Sequence, residues 1–366
     1  MRYATDSQEQ GPRHECDESG ASWQSLEKRL AWAEYEIEAN LDAEGQLTAA
    51  CAQRVCDSLD ENGFVVVPCA LSVDEADTGR ALIQSVLDDP ERRQASFASE
   101  TDNHHRRRDF CSLPSTPEVL AYSGMVCRRL KPVLSEYCGQ SRAVMEITTL
   151  TSYLGCSHQY FHHDPYGAIS IFVAVDDVDP DQGGTVFVPG THRYGGGQMK
   201  LGGKAYELAE LFRIRSNLIV LRNNLRKLFS MRRACHPELA PGEFVDRVFS
   251  RRQDDHQPNL LRFLLGKTYQ FNLMMLNPLN LWRMFRHRRD LLDFTQVRTT
   301  PRKGTVIIYR SDIMHAGADN CSIKPRHLFS LSIARDRVGL AHWQRGYAPH
   351  PSLLARGLRF GDLVDI

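Results

Sequence analysis

His162 and Asp164 stand two residues apart, and in a strand the side chains at i and i+2 leave the same face. The pair therefore projects together while His163 turns away. A lone histidine far downstream, His315, follows the β-branched run 304–309 and the turn Arg310-Ser311-Asp312, which places it to add a third ligand from a neighbouring strand. Two imidazoles and one carboxylate that leave positions open suit non-haem Fe(II), whereas structural zinc takes four closed ligands. Arg326 begins the next strand-like run. A guanidinium grips a carboxylate through two parallel hydrogen bonds, so Arg326 is suited to the far carboxylate of 2-oxoglutarate. With its keto-acid end on the metal, such a co-substrate is fixed at both ends before dioxygen binds.

Each of these residues also has a plain reading. An HxD triplet arises by chance, and a lone histidine is more often a satisfied core or surface residue. The four together, in order and each at a strand or strand end, favour a site. His158, His163 and His327 compete as ligands, and spacing alone leaves His158 open as an exchange for His162.

The elements that must position these residues change character along the chain. Residues 1–22 are polar and read as a disordered tail. Apolar residues at helical spacing predict helices over Trp23 to about Asn40 and over Leu47–Leu59, the second stopped at Asn62-Gly63. Phe64–Pro68 reads as a buried strand, and Ser72-Val73-Asp74-Glu75 as a capping box opening a helix to about Leu87. The basic stretch 104–109 reads as a loop near an active-site mouth or simply in solvent, the run 104–108 as a solvated face with anion binding as its second reading, and Thr116–Cys138 as one more helix. Thereafter β-branched runs at 144–154, 168–175, 185–188, 305–309 and 327–334 alternate with Gly, Pro and Asp turns. Helices first and strands later predict an α+β protein, with helices outside a two-sheet jelly roll.

Residues from about 195 to 298 break this order with a basic, largely helical insertion carrying an excess of about ten positive charges. Its interleaved apolar and basic residues fit a lid, a lipid-contacting element or a helical layer packed on the sandwich. Trp282, Met284 and Phe285 are its candidates for contact with an apolar substrate or a bilayer. The formal net charge is zero, which gives no ground for a nucleic-acid partner. Ten scattered cysteines without a CxxC pair read as reduced thiols, and no apolar leader or eighteen-residue apolar run is present. A cytoplasmic protein without a transmembrane segment is the default expectation.

The run Phe161-His162-His163-Asp164-Pro165-Tyr166 resembles the W-H-x-D-x-x-Y core of the phytanoyl-CoA dioxygenase-like (PhyH-like) family. The stretch 174–193, with its Asp-rich turn, Gly-Gly strand and closing Pro189-Gly190-Thr191-His192-Arg193, is similar to that family's PGSHR block. Residues 303–326 resemble its distal-histidine and arginine block, and residues 59–76 its entry strand and helix. The resemblance covers about 45–193 and 300–336 and skips the insertion.

It implies a double-stranded β-helix (jelly-roll, cupin-like) with flanking helices and a large helical insertion. The whole of 23–366 would form one PhyH-like domain. It further implies Fe(II) held by His162, Asp164 and His315, 2-oxoglutarate anchored by Arg326, and O2 as oxidant, with an ascorbate-type reductant. Phe172 falls near an aromatic position that lines the co-substrate, and Tyr153 is a candidate hydroxyl donor to it. Gly317 departs from the pattern, since some relatives offer a serine there; Asp164 argues against a halogenase-type site. The expected activity is hydroxylation of a small, apolar or lipid-like molecule, with 2-oxoglutarate going to succinate and CO2. Two alternatives stand beside it. One is a non-catalytic binding or scaffold relative. The other is an oxygenase that desaturates, cyclises or hydroxylates a protein side chain.

Overall fold

Nine strands form among the described residues, and every ladder between them is antiparallel. The structure is a computed structural model that describes residues 32–91, 108–139, 142–194, 204–244, 276–335 and 349–366. The tail expected over 1–22 lies outside these. The large sheet runs in the order β1 (Phe64–Val67), β7 (Val306–Arg310), β4 (Ala168–Ala174), β9 (Arg326–Ala334), β3 (Val144–Ser152) and β2 (Arg108–Ser112). The small sheet runs β6 (Val297–Thr299), β5 (Thr185–Val188), β8 (Met314–Gly317). Residues 159–162 extend it beyond β8: the Gln159 N–H donates to the Gly317 carbonyl at 2.8 Å, and His162 exchanges both backbone bonds with His315 at 3.0 Å.

Alternation along the strands sorts side chains into layers. Phe64, Val66, Ile307 and Tyr309 of the large sheet meet Phe187 and Val297 of the small one. Here the Phe64 and Phe187 rings stack at 4.5 Å. The opposite face of the large sheet, with Val65, Ile171, Ile308, Phe329 and Leu331, packs on helices. These are α1 (Ala49–Asn62), α2 (Val73–Leu87), α3 (Pro117–Arg129) and α4 (Lys131–Tyr137), with the C-terminal α7 (Pro351–Arg356) and α8 (Phe360–Val364). The outer face of the small sheet is covered by the insertion. Leu211, Phe212 and Val220 of α5 (Lys204–Cys235) pack on Val186, Val188, Met314 and Ala316. The α+β jelly roll expected from sequence is what forms, flanked by helices on both outer faces.

Local signals hold where the chemistry is strong. Gly63 stops α1 at φ 84°, its N–H donating to the Leu59 carbonyl. The Ser72–Glu75 capping box opens α2 as expected. PGTHR proves architectural: the Thr191 hydroxyl donates to Val188 O and accepts from Met314 N–H, and Arg193 donates to Glu61 O.

Other expectations need correction. Over 32–40 the expected helix is replaced by a 3-10 turn (Trp32–Tyr35) and extended chain. Ile37 N–H donates to Val66 O and Ala39 N–H to Pro68 O, satisfying the open edge of β1. The helix over 116–138 is two helices, because Pro132 cannot donate to an i−4 carbonyl and its ring crowds the preceding turn. The basic run does not end in a solvated loop: residues 104–107 lie outside the described residues, and Arg108 and Asp109 are buried at the start of β2. Eight cysteines among the described residues are free thiols, and no described helix is long and apolar enough to cross a membrane.

Three imidazoles outside the HxD cluster, His158, His192 and His327, are buried. His327 faces the helices and bonds the Thr151 hydroxyl at 2.9 Å; burial lowers its pKa to about 3. His158 sits beneath α5, and burial lowers it to about 4. An unfolded histidine titrates near 6.5, so between that value and these the unfolded chain binds protons that the folded chain refuses. Stability therefore falls as pH drops from about 6.5 to about 4, and His327→Gln flattens the slope. Unfolding followed by circular dichroism across that range measures it; a pH-independent midpoint, or an unchanged slope in the variant, contradicts it.

Candidate metal centre

The backbone exchange between His162 and His315 brings two residues about 150 apart in sequence side by side. Their rings lie 4.5 Å apart. Asp164, on the same face as His162, reaches both: Oδ1 is 3.7 Å from His162 Nε2 and Oδ2 is 3.6 Å from His315 Nε2. The three ligating atoms lie within 4.8 Å of one another, the one His/Cys/Asp/Glu cluster of that kind among the described residues.

The donor chemistry fits a metal. His162 Nδ1 lies 2.6 Å from the Tyr160 carbonyl and His315 Nδ1 3.0 Å from the Ile313 carbonyl. A carbonyl only accepts, so each Nδ1 carries the proton and each Nε2 keeps its lone pair toward the centre. Burial lowers the His315 pKa to about 4, which keeps that ring neutral at ordinary pH. The Tyr309 hydroxyl donates to Asp164 Oδ2 at 3.2 Å. Its pKa is raised, first by burial and then by the Asp164 charge, so it stays a donor and orients the carboxylate. The His315 side chain is 6% exposed and that of His162 32%, so the cluster opens on the His162 side.

Arg326 lies at the start of β9, fully buried and on the inner face. Its Nη1 donates to the Gln182 and Gly184 carbonyls at 3.1 Å, and its Nη2 to Ser152 Oγ at 3.3 Å. Its Nε, also buried, meets no acceptor among the described residues. Ser152 Oγ also accepts from Arg108 Nε at 3.0 Å, so two buried guanidiniums share one hydroxyl. Burial, and then the Arg108 charge, lowers the Arg326 pKa to about 10. Two like charges are thus held close together out of water, and the Asp319 carboxylate offsets part of the effect on Arg326.

Gly317 departs from the family pattern, and a Cβ there would lie 2.6 Å from Gln159 Oε1 and 3.3 Å from Arg108 Nη2, so a serine would require the Gln159 side chain to move. Gln159 Oε1 instead accepts the Gly317 N–H at 2.7 Å. Tyr153 commits its hydroxyl to Asp109 Oδ2 at 2.8 Å. Phe172 lies one ring from the cluster, 4.9 Å from Tyr309, which is 5.0 Å from His315. His163 turns away to the Asp312 carbonyl, and His158 and His327 stay outside the cluster.

Sequence reasoning missed Tyr309, Arg108 and Gln159. The first two were within reach of alternation: Tyr309 follows inward Ile307 by two residues, and Arg108 shares the inward parity of Ser112. Register also places Tyr309, Ser170, Ser332 and Glu146 in one row across β7, β4, β9 and β3. Ser170 and Ser332 hydroxyls meet at 3.0 Å, so this inner wall is polar.

No curated protein matches the sequence. Among solved structures, the chain is similar to the non-heme alpha ketoglutarate dependent epimerase SnoN from nogalamycin biosynthesis, at 14% identity and TM-score 0.45, covering 78% of this chain and 84% of that one. It is similar to HygX from Streptomyces hygroscopicus, with nickel and 2-oxoglutarate bound, at 12% identity and TM-score 0.42, covering 78% and 87%. EctD from S. alaskensis, with 2-oxoglutarate and 5-hydroxyectoine, aligns at 14% identity and TM-score 0.44, covering 81% and 79%. Residues 59–207, which include His162 and Asp164, match the sequence model of the family described as phytanoyl-CoA dioxygenase (PhyH).

Proposed function

We propose that this chain is a working dioxygenase. It holds Fe(II) through His162, Asp164 and His315, binds 2-oxoglutarate at Arg326 and hydroxylates a small molecule. The observation that carries the reading is the convergence of two Nε2 lone pairs and one carboxylate, each oriented by its own hydrogen bond. When bound, iron with 2-oxoglutarate and O2 supplies the oxidising chemistry: the co-substrate goes to succinate and CO2 while one oxygen atom enters a C–H bond. An ascorbate-type reductant keeps the metal ferrous between turnovers.

The protein's own work is placement and exclusion. Tyr309 holds the Asp164 carboxylate in one orientation, and the two carbonyls hold the imidazoles in one tautomer. The paired, buried charges of Arg326 and Arg108 favour a carboxylate beside them. Phe172 walls the inner face beside Tyr309. The expected outcome is succinate release from 2-oxoglutarate that needs Fe(II) and disappears in His162→Ala. Undiminished release in that variant removes the assignment.

For the substrate, two surfaces bear on the reading. The wall beside the ligands carries Tyr309, Ser170, Ser332 and Glu146, so the part of the substrate held there makes hydrogen bonds. An apolar or lipid-like remainder finds support in α6 (Pro278–Arg286) of the insertion. Leu279, Leu281, Trp282 and Phe285 are exposed there, and Arg286 lies 5.3 Å over the Trp282 ring. Met284 packs inward on the small-sheet cluster, so only the outer face of α6 is offered. Apolar rings beside arginines suit an anionic lipid surface. Flotation with anionic vesicles is expected to carry the native chain, and the double variant Trp282→Ser, Phe285→Ser to stay behind. If the native chain does not float, lipid contact is excluded.

A further inference from the structure

His162 pairs with His315, so the peptide groups of Phe161, one residue earlier, point away from β8 toward the other edge. An unpaired strand edge there would leave buried donors and acceptors unmet. Helix α5 lies along it instead. Asn217, 2% exposed, accepts the Phe161 N–H at Oδ1 (2.7 Å) and donates from Nδ2 to the Phe161 carbonyl (3.2 Å). One carboxamide thus makes both bonds that a residue of a neighbouring strand would make. Farther along α5, Asn224 Nδ2 donates to His158 O at 3.0 Å and Lys227 Nζ to Cys156 O at 3.1 Å. Residues 217, 224 and 227 recur near two and three helical turns, so one face of α5 serves the whole edge from Cys156 to Phe161. Val220, between them, packs on the small sheet.

We propose that α5 completes the metal centre, with Asn217 as the positioning residue that fixes His162. The proposal rests on the reading that the HxD cluster holds a metal. Phe161 lies between His162 and Tyr160, and the Tyr160 carbonyl orients the His162 ring through Nδ1. Holding both peptide groups of Phe161 therefore fixes the ligand's backbone and the anchor of its imidazole together. His315 needs no such help, because β8 has β5 on its other side. The insertion is thus a structural part of the site: its removal exposes the edge that carries one of the ligands.

Titration of the metal-free full chain with Co(II), followed by the visible ligand-field spectrum, separates positioning from packing. Asn217→Ala is expected to weaken Co(II) binding about 10–100-fold and to alter the spectrum, as loss of an outer partner of a metal ligand does. Val220→Ala, which removes packing from the same helix face, is expected to lower the melting temperature while keeping the native affinity and spectrum. A folded Asn217→Ala protein with native affinity and spectrum, or a Val220→Ala protein that loses both equally, overturns the proposal and leaves the metal reading standing. Native protein that binds no Co(II) overturns both. Should Asn217→Ala not fold, hydrogen exchange on the metal-free native chain decides: the Phe161 amide is expected to be as protected as that of His162, and rapid exchange there overturns the proposal.

Discussion

Everything at the site depends on the paired hydrogen bonds between the backbones of His162 and His315. They add residues 159–162 to the small sheet and set two imidazoles 4.5 Å apart with a carboxylate between them. Asp164, in the loop two residues on, is held by its N–H to the Ser311 carbonyl and brings its carboxylate to the two imidazoles. The rest of the sandwich holds that one pairing in place. Phe187, opposite His315 in the ladder, stacks on Phe64 and ties the small sheet to the large one. Thr191 ties the far end of β5 to Met314.

Burial sets the electrostatics in two opposite ways. It keeps His315 neutral, so the ring offers a lone pair with no proton to lose. It also confines two guanidiniums, Arg326 and Arg108, around a single hydroxyl, an arrangement that favours an incoming carboxylate. The same desolvation thus prepares one end of the site for a cation and the other for an anion. On the proposed reading, a bidentate 2-oxo acid with a distal carboxylate would join the two.

Much of this was legible in the residues. The capping box at Ser72, the glycine stop at Gly63 and the period-two runs specify local geometry, and the elements they predict form with small shifts in boundary. The meeting of His162, Asp164 and His315 was legible because their donor chemistry is specific and they come in a fixed order along the chain. What was hidden depended on distant partners. Arg108 looked solvated because a basic run normally is, yet β3 pairs with its strand and buries it. Residues 32–40 carry a helical pattern, but the open edge of β1 offers backbone partners that override it. Asn217 is one polar residue in a long basic helix, and nothing local marks it as the partner of Phe161.

The central claim is that one cluster binds Fe(II) and 2-oxoglutarate together. Anaerobic titration of the native chain with Fe(II) and 2-oxoglutarate tests it most directly, because a keto acid chelated to ferrous iron gives a weak visible metal-to-ligand charge-transfer band. The account predicts that this band appears only with both present, saturates at one iron per chain and is absent in Asp164→Ala. A native chain that gives no band, or a variant that keeps it, contradicts the account.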